Sequence, residues 1–309
     1  MRTWCQMGAI EIGGPMTEPA SPSQLLNLST ELAALVAQAT PSVVAVLSHR
    51  SRSTGFVWRP GLIITADEAL AEEGEFAVQP PGRDEVSAQL LGRDPSTDIA
   101  LLRVNHSDMQ PVTTAAAPTA AGALALAVGV HDRVPTAALG VVSRVSGPWS
   151  SLRGGEIDAR IELDVRLRRS AEGGLALNAS GQAIGMAVFG PRRRVLVIPF
   201  ATINRVAPRL EAHGRIARGY LGLGLQPVTV EGGGAGAMVM SVDPQGPSAG
   251  AGLHQGDIIV AVNDESVRHI RSLLGALGPD SVGKTMALAV RRAGEAHKIT
   301  LKVAERPMT

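Results

Sequence analysis

The chain has 309 residues, of which 45% are hydrophobic and 18% charged, so its composition is that of a globular protein with room for two cores. Its 29 basic and 28 acidic side chains nearly balance, which argues against nucleic acid or an anionic membrane as the main partner. The one cysteine, Cys5, excludes an intrachain disulfide, and no apolar run is long enough to span a membrane.

The first 25 residues have the composition of a disordered tail and contain no apolar segment of the kind that an export signal needs. As written, the sequence therefore predicts a cytoplasmic protein. A periplasmic or other extracytoplasmic location would follow if the start were misassigned.

A helix is predicted over 25–39, where leucines recur at helical spacing. Short β-rich runs bounded by Gly, Pro, Asp or Ser follow, from "SVVAVLS" (42–48) to "RVLVIPF" (194–200). Many short strands at this spacing predict an all-β barrel or sandwich. A helix over 201–214, with Gly214 as its C-cap, closes the segment.

The second unit alternates strands with one amphipathic helix, as in a small, partly open barrel. Its glycine-rich stretch "EGGGAGA" (231–237) is interpreted as a flexible β-loop, because it lacks the Lys-Ser/Thr pair and the helix onset of a phosphate-binding loop. The predicted division is a tail over 1–25, a first folded unit over 26–214 and a second over 215–309.

Two motifs in the second unit resemble those of a bacterial PDZ domain. "YLGLGL" (220–225) matches the loop that binds a peptide carboxylate, and "VDPQGPSAGAGLHQGDIIVAVND" (242–264) matches a long ordered segment of such domains. Residues 216–303 are therefore identified as resembling a PDZ domain.

The first unit resembles the protease domain of the HtrA family of trypsin-like proteases. "STGFVWRPGLIIT" (53–65) and "GRDPSTDIALLRV" (92–104) carry the resemblance, which extends over 26–213. It implies a mostly β fold, namely a chymotrypsin-like double β-barrel followed by a PDZ domain. It also implies a homotrimer, although the helical segment before the first strand is poor in aromatic residues.

Triad chemistry needs a hydroxyl nucleophile, an imidazole and an orienting carboxylate. By the resemblance, Glu68 in "TADEAL" (65–70) occupies the histidine position and Asp98 the aspartate position. Glu172 in "SAEGGLA" (170–176) occupies the serine position. The chain is therefore predicted to be a pseudoprotease, and the alternative is an HtrA-type serine endopeptidase in protein quality control.

Several roles remain open for these three acids. Asp98 could cap backbone amides of the "DPSTD" turn (94–98), while the two glutamates lie on the surface of a defunct cleft. Alternatively, the three carboxylates converge, raise one another's pKa or recruit a cation. No metal site and no cofactor are predicted, because Arg168 and Arg169 lie close enough in sequence to neutralise Glu172.

Two arginine-rich stretches stand out. Arg168 and Arg169 precede Ser170, which replaces a glycine of the family motif and so changes the backbone expected to form the oxyanion hole. "PRRRV" (191–195) is the densest basic run, interpreted either as a solvated loop or as a binding patch.

The PDZ resemblance implies a site for peptides or protein C-termini, so the chain is predicted to act as a scaffold, chaperone or regulator. PDZ domains bind a peptide as an added strand, with loop amides receiving its terminal carboxylate. Ordinary core packing is the alternative role for the leucines among the site residues. The predicted amides belong to Leu221, Gly222 and Leu223; the side pocket is Leu223, Ile270, Leu273, Leu274 and Leu277; Arg218 adds positive charge.

Overall fold

The computed structural model describes residues 23–49, 51–72, 74–105, 108–116, 118–230 and 233–307. Almost all of the predicted tail, 1–25, lies outside these residues. Helix α1 (Gln24–Ala39) begins the described part, and the hydroxyl of Ser23 caps it by accepting the amide hydrogen of Leu26.

Six short strands form the first closed barrel, in the order β1-β2-β3-β6-β5-β4. Val, Ile and Leu dominate these strands, which suits a barrel whose interior is filled by branched side chains. The strands are β1 (Val43–Ser48), β2 (Ser51–Arg59), β3 (Leu62–Thr65), β4 (Phe76–Gln79), β5 (Val86–Asp94) and β6 (Ile99–Val104).

A second closed barrel has the order β11-β14-β13-β12-β7-β8. A small hairpin of β9 and β10 projects between β8 and β11, and a 3₁₀ turn at Arg169–Ala171 precedes β12. The bounds are β7 (Leu124–His131), β8 (Val134–Ser146), β9 (Trp149–Ser150), β10 (Glu156–Ile157), β11 (Arg160–Asp164), β12 (Gly174–Asn178), β13 (Ala183–Phe189) and β14 (Val195–Pro199).

The largest hydrophobic core joins the two barrels. Phe56 and Leu101 of the first barrel pack with Leu126 and Met186 of the second. Phe200, the first residue of helix α2 (Phe200–His213), meets Phe56 edge to face with ring centroids 5.6 Å apart. This shared core fixes the two barrels against each other, so the loops that border the cleft between them have defined positions.

Helix α2 ends at Gly214, whose φ of 73° provides the predicted left-handed C-cap. A six-stranded sheet follows, with the order β16-β17-β18-β20-β21 and with β19 paired to β18, while β15 and β22 form a separate two-stranded sheet. The elements are β15 (Gly219–Tyr220), β16 (Leu223–Val230), β17 (Gly234–Val242), α3 (Pro247–Gly250), β18 (Ile258–Val262), β19 (Glu265–Ser266), α4 (Ile270–Ala276), β20 (Thr285–Arg292), β21 (Glu295–Lys302) and β22 (Ala304–Glu305).

The architecture is mostly β, with two six-stranded barrels followed by a PDZ-like unit, and it confirms the predicted fold class. The division at residues 214 and 215 stays a prediction. None of the helices within the described ranges combines the length and the apolar character that a bilayer crossing demands.

Candidate functional site

The three acids at the triad positions meet in the cleft between the barrels. Glu68 follows β3, Asp98 precedes β6 and Glu172 precedes β12. The amide of Glu68 donates a hydrogen bond of 2.8 Å to Oδ1 of Asp98. Burial raises the pKa of Asp98 well above its usual range, and the carboxylates of Glu68, Glu172 and Asp67 raise it further.

Asp98 does not cap the turn at 94–98, so that predicted structural role is wrong. The carboxylate of Asp94 caps it instead, accepting from the amide of Ser96 at 3.1 Å and from the hydroxyl of Thr97 at 2.7 Å. Asp94 is buried at the end of β5 and points into the turn, whereas Asp98 lies at the far side of the turn and points toward Glu68.

Glu68 is the exposed member of the group. Its side chain is 52% exposed, and its Oε1 lies 3.5 Å from Nη2 of Arg153, in the β9–β10 hairpin of the second barrel. This ion pair crosses the cleft between the two barrels. Glu68 therefore agrees with the predicted surface acid, with the addition of an arginine partner that the sequence did not indicate.

Glu172 is half-buried, and its Oε1 accepts a hydrogen bond of 3.3 Å from the amide of Phe189. Burial raises the pKa of the Glu172 carboxyl, and Glu68 adds to the rise. Positive charge on Arg169 and Arg193 acts in the opposite direction. Two arginines were predicted to act on Glu172, Arg168 and Arg169. Arg169 lowers the pKa of Glu172, and the other arginine that lowers it is Arg193 rather than Arg168.

The backbone around Glu172 forms a closed 3₁₀ turn. The amide of Ala171 donates to the carbonyl of Arg168 at 3.0 Å, and the amide of Glu172 donates to the carbonyl of Arg169 at 3.2 Å. The amide of Gly173 donates to the carbonyl of Ala187 at 2.9 Å. All three amides are thus used within the protein, whereas an oxyanion hole requires donors aimed at the substrate.

Close packing explains the two glycines that follow Glu172. Gly173 has a φ of 83°, and a Cβ there would lie 2.3 Å from the carbonyl oxygen of Thr54. A Cβ on Gly174 would lie 2.3 Å from the carbonyl oxygen of Val128. Close backbone contacts therefore require glycine at both positions, whether or not the turn supports catalysis.

Sequence reasoning missed Asp67 and Arg93, which organise the loop that carries Glu68. Nε of Arg93 lies 2.5 Å from Oδ1 of Asp67, and its other nitrogens donate to the carbonyls of Asp67 and Ala71 at 3.2 and 3.1 Å. Burial raises the pKa of the Asp67 carboxyl, and the bond from Arg93 opposes that rise. The position of Asp67 directly before Glu68 was the only signal available in the sequence.

The described residues contain no group of three or more His, Cys, Asp or Glu side chains arranged to hold a metal ion. Two of the three carboxylates at the predicted triad positions have arginine neighbours. Arg153 faces Glu68, and Arg169 and Arg193 act on Glu172.

The predicted peptide loop lines a narrow groove of about 90 Å³ in the PDZ-like unit. The carbonyls of Leu221 and Gly222 accept hydrogen bonds from the amides of Ser248 and Asp243, at 3.1 and 2.8 Å. Within the described part of the chain, the amides of Leu221 and Gly222 have no acceptor. Two adjacent free amides beside a groove are suited to receive a carboxylate.

The apolar wall of the groove differs slightly from the prediction. Leu223, Leu273, Leu274 and Leu277 all line it, and Leu225 lines it in addition. The remaining one of the five predicted pocket residues, Ile270, is not among the residues that line the groove. It packs against the core of the PDZ-like unit instead.

Arg218 lines the groove, but its guanidinium is also engaged by the first folded unit. Nη1 donates to the carbonyl of Gly154 at 3.1 Å, and Nη2 contacts the hydroxyl of Ser96 and lies 3.7 Å from Oδ2 of Asp94. Its predicted charge is therefore largely offset by Asp94. Arg306, which the sequence reasoning missed because it lies beyond the PDZ motifs, also lines the groove.

Comparisons with known proteins agree with this architecture. The model of the trypsin-like peptidase domain matches residues 53–186, and that of the PDZ domain matches residues 219–303. The chain belongs to the HtrA family. Its relatives include probable periplasmic DegP-like serine endoproteases, and this HtrA-family chain spans about half of their length.

The relative from Bartonella henselae is 30% identical over 279 residues, covering 84% of this chain and 55% of the relative. The one from Pseudomonas fulva is 31% identical over 276 residues, covering 82% and 56%. Among solved structures, the HtrA-type protease AlgW with tripeptide is 25% identical, with a TM-score of 0.72 over 90% of this chain and 98% of that one. A serine endoprotease from Yersinia pestis shares the fold, at 24% identity and a TM-score of 0.73, over 88% and 97%.

Proposed function

We propose that this HtrA-family chain is a pseudoprotease that binds peptides or protein C-termini through its PDZ domain and acts as a scaffold, chaperone or regulator. The observation that carries the proposal is the set of side chains at the triad positions. Glu68 and Glu172 stand where an imidazole and a hydroxyl are needed, and Asp98 accepts a hydrogen bond from the Glu68 amide.

The chemistry of these groups supports the loss of peptidase activity. Neither glutamate can supply the hydroxyl nucleophile of an acyl-enzyme mechanism. The amide of Glu172 donates to Arg169 rather than toward a substrate, which removes a source of transition-state stabilisation. The active-peptidase alternative would need a nucleophile and amide donors from elsewhere in the chain.

The free amides of Leu221 and Gly222 support the binding half of the proposal, together with the leucines of the groove. Structures of the HtrA-type protease AlgW hold a decapeptide or a tripeptide. By analogy, a ligand here would end in a free carboxylate and an apolar side chain, and it would add a strand beside β16.

We further propose a periplasmic location and a homotrimeric assembly. The names of the curated relatives favour the periplasm over the cytoplasm. Alkaline phosphatase fused to the natural protein is active only outside the cytoplasm, so an inactive fusion would contradict the location. Light scattering of the purified chain tests the assembly, and a monomer mass would contradict the trimer.

The test of catalysis uses a fluorophosphonate probe and casein, with an active HtrA-type protease as positive control. We expect neither labelling nor cleavage above background. The double variant Glu68→His, Glu172→Ser should also gain little activity, because the 172 amide still donates to Arg169. Inhibitor-sensitive cleavage that survives repurification and disappears on substitution of Ser170 would contradict the proposal.

The test of binding compares two peptides that differ only in a free or an amidated C-terminus, using the full chain. The free acid should bind with a Kd on the order of micromolar, and amidation should weaken binding by roughly tenfold or more. Gly222→Pro should abolish binding because it removes one donor, whereas Ser266→Ala, at an exposed position of β19 away from the groove, is the control. Equal affinity for both peptides would contradict the carboxylate site.

A further inference from the structure

One end of the second barrel is unusually rich in arginine. Strands β11 and β14 are antiparallel neighbours, with Leu163 opposite Val195. The loop after β11 (165–170) and the turn before β14 (190–194) therefore leave the same end of the barrel. We call the following group the arginine surface: Arg144, Arg160, Arg166, Arg168, Arg169, Arg192, Arg193 and Arg194.

A single internal carboxylate serves three of these arginines. Glu162 is buried, and its oxygens lie 2.6 Å from Arg160, 3.2 Å from Arg194 and 3.7 Å from Arg144. The bond from Arg160 lowers the pKa of the Glu162 carboxyl, and the charges of the other two lower it further. One negative charge is thus shared among three positive ones, which leaves an excess of positive charge. The arrangement also shows that these guanidinium groups can bind a carboxylate.

The remaining five arginines are exposed at the two loops. Among the described residues, none of them has a carboxylate oxygen within ion-pair distance, although Arg169 and Arg193 act at longer range on Glu172. Arg193 also lies over the ring of Phe189, 5.1 Å from its centroid. The arginine surface as a whole holds eight of the 29 basic side chains of a chain whose net charge is only +1.

The turn before β14 holds two of these arginines in an unfavourable backbone conformation. Arg192 and Arg193 both have a φ of 58°, in the left-handed region that glycine and asparagine tolerate better. The turn is closed by a bond of 2.7 Å from the Gly190 amide to the Arg194 carbonyl. The turn exposes three consecutive arginines, Arg192, Arg193 and Arg194.

We propose that the arginine surface binds acidic segments of polypeptide chains. Guanidinium groups pair strongly with carboxylates, and within this surface Arg160 and Arg194 each place one nitrogen against a different oxygen of Glu162, at 2.6 and 3.2 Å. Arg169 and Arg193 are both exposed and act on half-buried Glu172, so their guanidiniums lie near an existing carboxylate, the group that an acidic polypeptide segment would present. This site is separate from the PDZ groove and does not depend on it.

The test measures the fluorescence anisotropy of a labelled peptide in which Glu alternates with Ser, with its C-terminus amidated so that it cannot use the PDZ carboxylate site. The matched peptide has Gln in place of Glu. The acidic peptide should bind the full chain roughly tenfold or more tightly at low salt, and the difference should shrink as salt screens the charges. Equal affinity for the two peptides would overturn the proposal.

The variant Arg192→Gly, Arg193→Gly separates binding from folding, because glycine relieves the left-handed strain while the charges are lost. It should weaken binding of the acidic peptide by about fivefold or more and leave the melting temperature unchanged or higher. The matched control, Arg268→Gln, removes an exposed arginine of the PDZ-like unit and should change affinity by less than about twofold. Equal losses in both variants, or binding to phosphatidylserine vesicles without binding to the acidic peptide, would overturn the proposal.

Discussion

At the scale of single residues, Asp98 lies at the predicted aspartate position of the triad. Its Oδ1 still accepts the amide hydrogen of residue 68, as an orienting carboxylate would be placed to do, but the side chain beyond that amide is a glutamate. Burial and three neighbouring carboxylates make the ionised form of Asp98 unfavourable in the fold. Within the described residues its hydrogen bond to Glu68 is the one contact that offsets this cost.

Asp98→Asn should therefore stabilise the protein at neutral pH, by roughly 1 kcal/mol. Asparagine keeps the acceptor oxygen and tolerates the φ of 58° at this position. Because the pKa of Asp98 is raised above its unfolded value, the gain should be full above the folded pKa and disappear as pH falls below the unfolded value. Urea denaturation across this pH range checks it, with exposed Asp84→Asn as the control. A loss of stability, or a gain that does not vary with pH, would contradict the electrostatic explanation.

At the scale of elements, the 3₁₀ turn and the start of β12 form one packed unit. The carbonyl of Glu172 accepts a bond of 2.9 Å from the amide of Thr54 in β2, and the hydroxyl of Thr54 donates to the carbonyl of Ser170. The turn at the predicted serine position is therefore tied to the first barrel as well as to the second. Its conformation is part of the barrel interface, so we expect that replacing one or two side chains would not change the backbone geometry of the turn.

Gly173→Ala should destabilise the protein by about 2–4 kcal/mol, because the new Cβ would meet the Thr54 carbonyl and the backbone is left-handed. Gly122→Ala is the matched control, since Gly122 has a similar φ of 87° but open space around its Cβ position. The control should cost only about 1 kcal/mol. An equal loss of unfolding free energy for both variants, measured by urea denaturation, would mean that the Thr54 carbonyl of β2 does not lie close enough to residue 173 to exclude a Cβ.

At the scale of the whole molecule, Arg218 connects the PDZ-like unit to the double barrel. Its guanidinium reaches the 94–96 turn and Gly154, and only 17% of its side chain is exposed. Burial lowers the pKa of Arg218, and the buried carboxylate of Asp94 opposes that change. Removing the arginine would leave Asp94 buried without this partner, which is costly.

Arg218→Ala should weaken the contact between the two units by about 3 kcal/mol and speed amide hydrogen exchange in residues 94–97 and 151–155. Affinity for a free-acid peptide should change by less than about threefold, because Asp94 already offsets the charge of Arg218. Arg268→Ala, at an exposed site of the PDZ-like unit, is the control for both measurements. A large loss of peptide affinity with unchanged exchange would instead assign Arg218 to the peptide carboxylate.

The sequence by itself determined the fold class and the family, and it predicted which residues stand at the triad positions. These follow from local patterns, since strand periodicity, the PDZ motifs and the segments around Asp98 and Glu172 each lie within a short stretch of chain. The free amides of Leu221 and Gly222 likewise lie in the loop that the motif "YLGLGL" indicated.

Only the tertiary structure decided which groups these residues meet. Arg153 reaches Glu68 from the other barrel, and Arg193 rather than Arg168 acts on Glu172 because two loops of the second barrel that are distant in sequence lie close together. Arg218 meets a turn more than a hundred residues earlier in the chain. Side-chain partners of this kind depend on how the folded chain brings separate loops together. The spacing of residues along the sequence carries no information about the distance between two such loops in space.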